Sequence, residues 1–387
     1  MEATVVLSAF DVLQFPMGGG HFSAYLQYVY GLQDAGCEVW WLERIGSSGD
    51  PERNRRVAGE LSARLGAAGL PDRLIVYTGS SEEEVSYLTM DVKEAEALLG
   101  RADLLLNFNY AIHPDILRRF RRTALVDIDP GLLQLWISNG DLTVAPHDVH
   151  FTTGDTVGTP AARFPSAGLD WIHIRPPVSL DQWPVASQAP RAEFTTVSSW
   201  WSDEWATDGE ESLWYENSKR ASFIEFVRLP ELAAVPLELA LNVDESERPD
   251  IELLERHGWR VRRAEEVAPT PAAYRDYVRT SAGEFSCAKP SCMHLQNGWV
   301  SDRTICYLAS GRPAVVQDTG PSASLDGGSG ILRFSTVEEA AAALDAVAAD
   351  YGAHCSAARE VAETYFDARK VASGILDAAL GTLAEPG

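Results

Sequence analysis

Short apolar runs alternate with stretches of helical periodicity along almost the whole chain. Residues 4–8, 38–42, 74–77, 102–108 and 123–128 are apolar and short enough for buried strands, and residues 22–33, 51–68, 92–99 and 114–121 between them carry helical spacing. The densest run of prolines follows, from Arg175-Pro176-Pro177 through Gln182-Trp183-Pro184 to Ala189-Pro190, and predicts an interdomain linker. The alternation then restarts. Strands are expected at 194–197, 237–242, 259–262, 283–287 and 314–316, and helices at 215–226, 251–257, 274–281 and between Ser301 and Gly311. Three further helices, 337–350, 357–366 and 368–380, close the chain. Strict strand–helix alternation of this kind predicts an α/β protein with parallel sheets covered on both faces.

Composition narrows the partners rather than the fold. The 387 residues exceed what one core usually organises, so two domains are expected. With 56 acidic residues against 32 basic ones, the formal charge of -24 argues against a nucleic-acid partner, which needs a basic footprint. No apolar run approaches the length of a membrane span, and Met1-Glu2-Ala3-Thr4 has no basic leader, so a cytoplasmic location is expected. The five cysteines show no paired ligand spacing, and no Asp-x-Asp element is present, so neither a disulfide framework nor a metal is expected.

Two stretches carry candidate chemistry. In the second half, Ser301 can cap a helix that ends at Gly311, and the exposed N–H groups beside Ser301, Arg303 and Thr304 suit an anion such as a phosphate. The following strand runs out into Asp318-Thr319-Gly320, where ligands gather in open α/β sheets. In the first half, Gly18-Gly19-Gly20-His21 links the first strand to the first helix. These glycines lack the Gly-x-Gly-x-x-Gly spacing of a dinucleotide site.

The run Gly298-Trp299-Val300-Ser301 to Ala309-Ser310-Gly311-Arg312-Pro313-Ala314-Val315-Val316, together with Gly19-Gly20-His21 and Gly31-Leu32-Gln33-Asp34-Ala35-Gly36-Cys37-Glu38-Val39, resembles the two-domain nucleotide-sugar glycosyltransferases of GT-B architecture, bacterial natural-product types included. The resemblance spans the whole chain. It implies two Rossmann-like domains facing across a cleft, an acceptor domain at 1–180, a donor domain at 187–365 and a C-terminal helix within 366–387 that returns to the first domain. It also implies a nucleoside diphosphate sugar as co-substrate and a small hydroxylated acceptor.

The resemblance assigns the diphosphate to Ser301, Arg303, Thr304 and Lys219, with Lys289 in reach, and the donor sugar to Asp318, Thr319 and Gly320. The glutamate pair of retaining members is absent, because Gly298 and Cys306 stand at its two positions; Asp302 is the nearest carboxylate for the ribose. His21 is the expected base, which together with the missing glutamates favours inversion. Its usual aspartate partner is replaced by the amides Asn107 and Asn109, and Asp129 is the other carboxylate within that region. Trp200 and Trp201 are expected to face the cleft. Two rival readings share these residues: a sugar-nucleotide epimerase and a non-catalytic nucleotide-sugar binder.

Overall fold

The computed structural model describes residues 3–46, 50–79, 84–207, 214–322, 325 and 328–381. The first half of the chain supplies β1 (Thr4–Ser8), β2 (Glu38–Arg44), β3 (Leu74–Thr78), β4 (Ser86–Tyr87), β5 (Leu104–Asn107), β6 (Thr123–Asp127), β7 (Val149–Thr152) and β8 (Trp171–His173). They form one sheet of eight in the order β4-β3-β2-β1-β5-β6-β7-β8. Every neighbouring pair is parallel except β3 with the short β4. The central strands β1, β5 and β6 are buried along their whole length, as an apolar run covered by helices on both faces requires.

The second half supplies β9 (Phe194–Ser199), a hairpin of β10 (Trp205–Thr207) and β11 (Trp214–Glu216), then β12 (Leu237–Asn242), β13 (Arg260–Arg263), β14 (Gly283–Ser286), β15 (Ala314–Gln317) and β16 (Ile331–Phe334). Six of them form a wholly parallel sheet, β13-β12-β9-β14-β15-β16. In each sheet the strand order reverses beside the first strand, β1 or β9. Such switch points open a crevice at the carboxyl ends of the strands, where ligands bind.

Several boundaries differ from the periodicity. The helix expected at 215–226 is two elements, because Trp214–Glu216 pairs with Trp205–Thr207 and the helix Lys219–Glu225 begins only after Ser218, whose side chain caps it. The helix expected at 114–121 stops at Leu117, and the chain tightens into i→i−3 bonds from Arg119 and Phe120. The helix Leu132–Asn139 and the strands β7, β8 and β16 carry no periodicity strong enough to announce them. Of the expected C-terminal stretch 366–387, residues 382–387 lie outside those described. Among the described residues no helix is long and apolar enough to cross a membrane.

The last helix, Ala368–Leu380, returns to the first sheet, where Ala372, Ile375 and Ala379 join the core beneath the helix Gly19–Asp34. Gly31 permits that approach, since a Cβ there would lie 2.4 Å from the carbonyl oxygen of Ala368. Gly31→Ala is therefore expected to destabilise the protein by about 1–3 kcal/mol, overpacking outweighing helix propensity. Gly59→Ala, at an exposed position of the helix Pro51–Ala67 with nothing near its Cβ, should stabilise it. Urea denaturation midpoints for the two variants, moving in opposite directions, check this.

Candidate active site

The carboxyl edges of the two sheets enclose a cleft of about 600 Å³. One wall comes from the segment after β1, Gln14 to His21, and from Ile128 to Leu132 after β6; the other comes from Ser198 and Ser199 at the end of β9, Lys219, Asn242, Lys289 and Trp299 to Arg303. The walls are pinned together at the glycine loop. Gly19 N–H donates to the Ala268 carbonyl across the cleft at 3.1 Å, and a Cβ on Gly19 would lie 2.4 Å from that oxygen. A Cβ on Gly20 would lie 3.3 Å from the ring of Tyr274, a looser contact, so it is chiefly Gly19 that serves the approach of the two walls.

His21 lines the cleft with its ring edge-on to Phe15 and Tyr25. Its Nε2 lies 2.9 Å from the Phe10 carbonyl oxygen, which accepts the proton of that nitrogen. Nδ1 is thereby left as the acceptor, and among the described residues it has no protein partner. Burial lowers the pKa of the ring below its ordinary value, while the Phe10 bond and the charges of Asp302 and Asp11 pull it back up. The orienting group expected from Asp129 is thus a backbone carbonyl instead. Asp129 accepts from the Tyr110 hydroxyl at 3.2 Å, lines the same cleft wall as His21, and has its pKa raised by burial despite the nearby Lys289 ammonium. Asn109 does not reach the cleft: its Oδ1 accepts from Ala111 N–H and its side chain is buried.

Three cations gather on the opposite wall, and their partners separate them. Arg303 Nε donates to Glu284 Oε1 at 2.7 Å and Nη1 to the Val197 carbonyl, so most of its guanidinium is spent beneath the cleft. Lys289 pairs with Glu204 at 2.6 Å. Lys219 has no carboxylate partner among the described residues; its ammonium donates to the Cys287 carbonyl at 2.8 Å and lies 5.3 Å from the ring centroid of Trp299. Burial, helped by the charges of Arg303 and Lys289, lowers its pKa to about 8. An anion entering the cleft meets Lys219 as its uncommitted charge.

Ser301 caps the helix Asp302–Ala309 through Arg303 N–H, and Asp302 lines the cleft. Cys306 is buried with its thiol on the Asp302 carbonyl and does not line the cleft. Thr304 and Thr319 line a separate small recess behind Trp299, where the Thr319 hydroxyl holds the Trp299 carbonyl at 2.7 Å. Asp318 pairs with Arg333 outside the cleft, and Gly320, at φ +117, packs on Gln296. Trp200 is not a cleft residue: it lies in the core of the second sheet with its indole N–H on Asp250, because its position after β9 turns it inward. Trp201 is exposed outside the cleft lining. Trp299, Asn242 and Tyr274 are cleft residues that spacing did not single out; the Gly-Trp pair at 298–299 signals Trp299, and no motif marks Asn242 or Tyr274.

Two outcomes follow from the charges. Glu284→Ala strands the buried Arg303 guanidinium and should cost about 3–5 kcal/mol of stability, read from urea denaturation. An anion beside Lys219 raises the ammonium pKa from about 8 toward its free value, so pyrophosphate binding should take up a proton above pH 8 and little below pH 7. Calorimetry in buffers of differing ionisation enthalpy measures that uptake, which Lys219→Ala should remove.

No family model and no curated protein matches the chain. Solved structures do match along its full length. A glycosyltransferase from Rickettsia africae superposes with a TM-score of 0.58 at 10% identity over 100% of both chains. HepE from Anabaena, solved with UDP and glucose, gives 0.58 at 12% identity over 98% of this chain and 99% of its own. The pneumococcal O-GlcNAc transferase GtfA, solved with UDP and GlcNAc, gives 0.59 at 8% identity over 99% and 100%. Identity this low speaks for architecture alone, and the two parallel sheets with opposed carboxyl edges are that architecture: the chain has the GT-B fold.

Proposed function

We propose that the protein is a glycosyltransferase that moves a sugar from a nucleoside diphosphate to a hydroxylated acceptor. The observation that carries this reading is the 600 Å³ cleft, in which a base-competent imidazole on one wall faces an unpaired ammonium and a helix start on the other. Fold neighbours have been solved with UDP and with UDP-glucose, which supports the same ligand class here.

The diphosphate lies against Lys219 and the N–H groups that follow Ser301, where an ammonium and the positive end of a helix stabilise the charge of the leaving group. The acceptor lies on the first-sheet wall between Phe15, Met17, Ile128 and His21. Its hydroxyl donates to Nδ1 of His21. As the hydroxyl oxygen bonds to the anomeric carbon and the bond to the diphosphate breaks, the hydroxyl proton moves to Nδ1, and Asp302 and Asp11 stabilise the imidazolium. Base and leaving group on opposite walls fit a single displacement with inversion. Lys219 and the helix start take the charge that a metal takes in other phosphate sites, so the reaction is expected to need none. A role for Asp129 as a second acceptor contact rests on its place in the same wall.

The deciding experiment pairs binding with turnover. Nucleoside diphosphates should raise the melting temperature, a ligand at a hundred times its Kd adding about 2.7 kcal/mol. His21→Ala should keep that shift and lose transfer by about 100-fold or more. Because burial lowers the pKa of His21, wild-type kcat/KM should stay high to pH values below the usual histidine range before it falls. NMR of the product should show the inverted anomer, with turnover retained in EDTA. A nucleotide sugar rearranged without acceptor would instead identify an epimerase, and no thermal shift with any nucleoside diphosphate would overturn the reading.

A further inference from the structure

Glu43 is a buried carboxylate that the transfer reaction does not use. It lies on β2, 1% exposed, on the face that Val39 and Trp41 turn to the core of the first half. Its Oε2 accepts from the Trp41 indole N–H at 2.8 Å and its Oε1 from the Leu13 backbone N–H at 2.6 Å. Burial pushes its pKa up to about 7 in spite of these two bonds, the charge of Asp11 acting in the same direction and that of Arg64 against it. A Met side chain would fill the same space without burying a charge.

The two bonds do different things. Trp41 stands two residues away on the same strand, so its bond orders a pair of neighbouring side chains. Leu13 is 30 residues away in sequence, on the loop between β1 and the helix Gly19–Asp34, and its bond ties the middle of that loop to the sheet. Val12 and Leu13 are buried in the first core, whereas Phe10, Phe15 and Met17 to either side are exposed.

Where the loop is held decides which way the Phe10 carbonyl points. Residues 11–14 form a turn closed by Gln14 N–H on the Asp11 carbonyl at 3.1 Å, and Leu13 lies inside it. Asp11 opens the turn at φ +55, a left-handed conformation that a residue with a side chain keeps where its surroundings impose it. That torsion sets the plane of the peptide bond that carries the Phe10 carbonyl, and this carbonyl accepts from Nε2 of His21 at 2.9 Å. A turn released from Glu43 would let Asp11 relax toward negative φ and swing the Phe10 carbonyl off the ring.

We propose that Glu43 is a positioning residue: by holding the Leu13 N–H it fixes the turn that aims the Phe10 carbonyl at His21, which keeps Nε2–H engaged and Nδ1 as the acceptor. Glu43 does not line the cleft, so it acts through the loop and not on a substrate. Its effect on turnover rests on the glycosyltransferase reading; its effect on the imidazole does not.

NMR without substrate and steady-state kinetics test the two effects separately. In wild type, the Leu13 amide should exchange with deuterated water about 100-fold more slowly than an open loop amide. Glu43→Met, which keeps the length of the side chain and accepts nothing, should speed exchange of the His21 Nε2–H proton about fivefold or more, the worth of one hydrogen bond. It should lower kcat about tenfold or more and leave donor KM and the melting shift with nucleoside diphosphates unchanged. Glu43→Gln, whose amide oxygen can still accept from Leu13 N–H, should recover most of both effects. A Leu13 amide that exchanges at the rate of an open loop overturns the proposal without recourse to any variant. So does a Glu43→Met protein with a lower melting temperature but the imidazole exchange and kcat of wild type, which would make the role of Glu43 one of stability alone. Equal losses in the Met and Gln variants would point to the charge instead of the acceptor and overturn it too. Faster imidazole exchange in Glu43→Met, with no transfer detected in wild type, would leave this inference standing and remove the transferase reading.

Discussion

A charge taken out of water must find a partner, and that rule arranges the floor of the cleft. Three cations converge near the end of β14; among the described residues two carboxylates bond to them directly, and Asp129 stands near Lys289. Glu284, fully buried in β14, takes Arg303, and Glu204 at the root of the hairpin takes Lys289. Lys219 is left with a carbonyl and an indole face, and burial, helped by the charges of Arg303 and Lys289, lowers its pKa. The pairing of Arg303 also fixes the start of the helix Asp302–Ala309, so the same bond that removes one cation from the site orients the N–H groups that remain. Breaking it would disturb binding through geometry rather than through a lost contact to the ligand.

The glycine loop obeys a different constraint. Gly-rich loops after a first strand commonly wrap a phosphate, yet here Gly19 and Gly20 are spent on the carbonyl of Ala268 and the ring of Tyr274. Their lack of side chains brings the start of the helix Gly19–Asp34 against the second half of the chain, which carries His21 to the cleft wall. The position of His21 and the approach of the two walls are thus set by the same residues.

Much of the fold was legible because buried parallel strands are written as short apolar runs: β1, β2, β5, β6, β12, β14 and β15 all stand where periodicity puts them. What failed was local. Trp214 to Glu216 reads as the start of a helix, and only pairing with Trp205 to Thr207, a tertiary fact, makes it a strand. The site was legible as residues and not as partners. Sequence brought out His21, Lys219, Asp302 and Ser301, all of which line the cleft, but which carboxylate meets which cation depends on the register of β14 against β9 and on the fold of the hairpin. Trp200 and Trp201 show the limit most sharply: adjacent, chemically identical, and placed one in the core and one in water by the alternation of a single chain.

The field around His21 joins these strands of argument. Burial favours the neutral ring, which is the form that can accept a proton, and the Phe10 carbonyl selects the tautomer whose Nδ1 is free to do so. Two acids then favour the protonated form: Asp11, on the loop that leads to His21, and Asp302, on the far wall. Desolvation and the far acid both depend on the two walls standing close, and Gly19 is what lets them. A wider cleft would hydrate the ring, remove Asp302 and return the imidazole to an ordinary surface histidine. The approach of the two walls therefore gives His21 a neutral ring favoured by burial and an imidazolium favoured by two acids, a combination that neither sheet could supply alone.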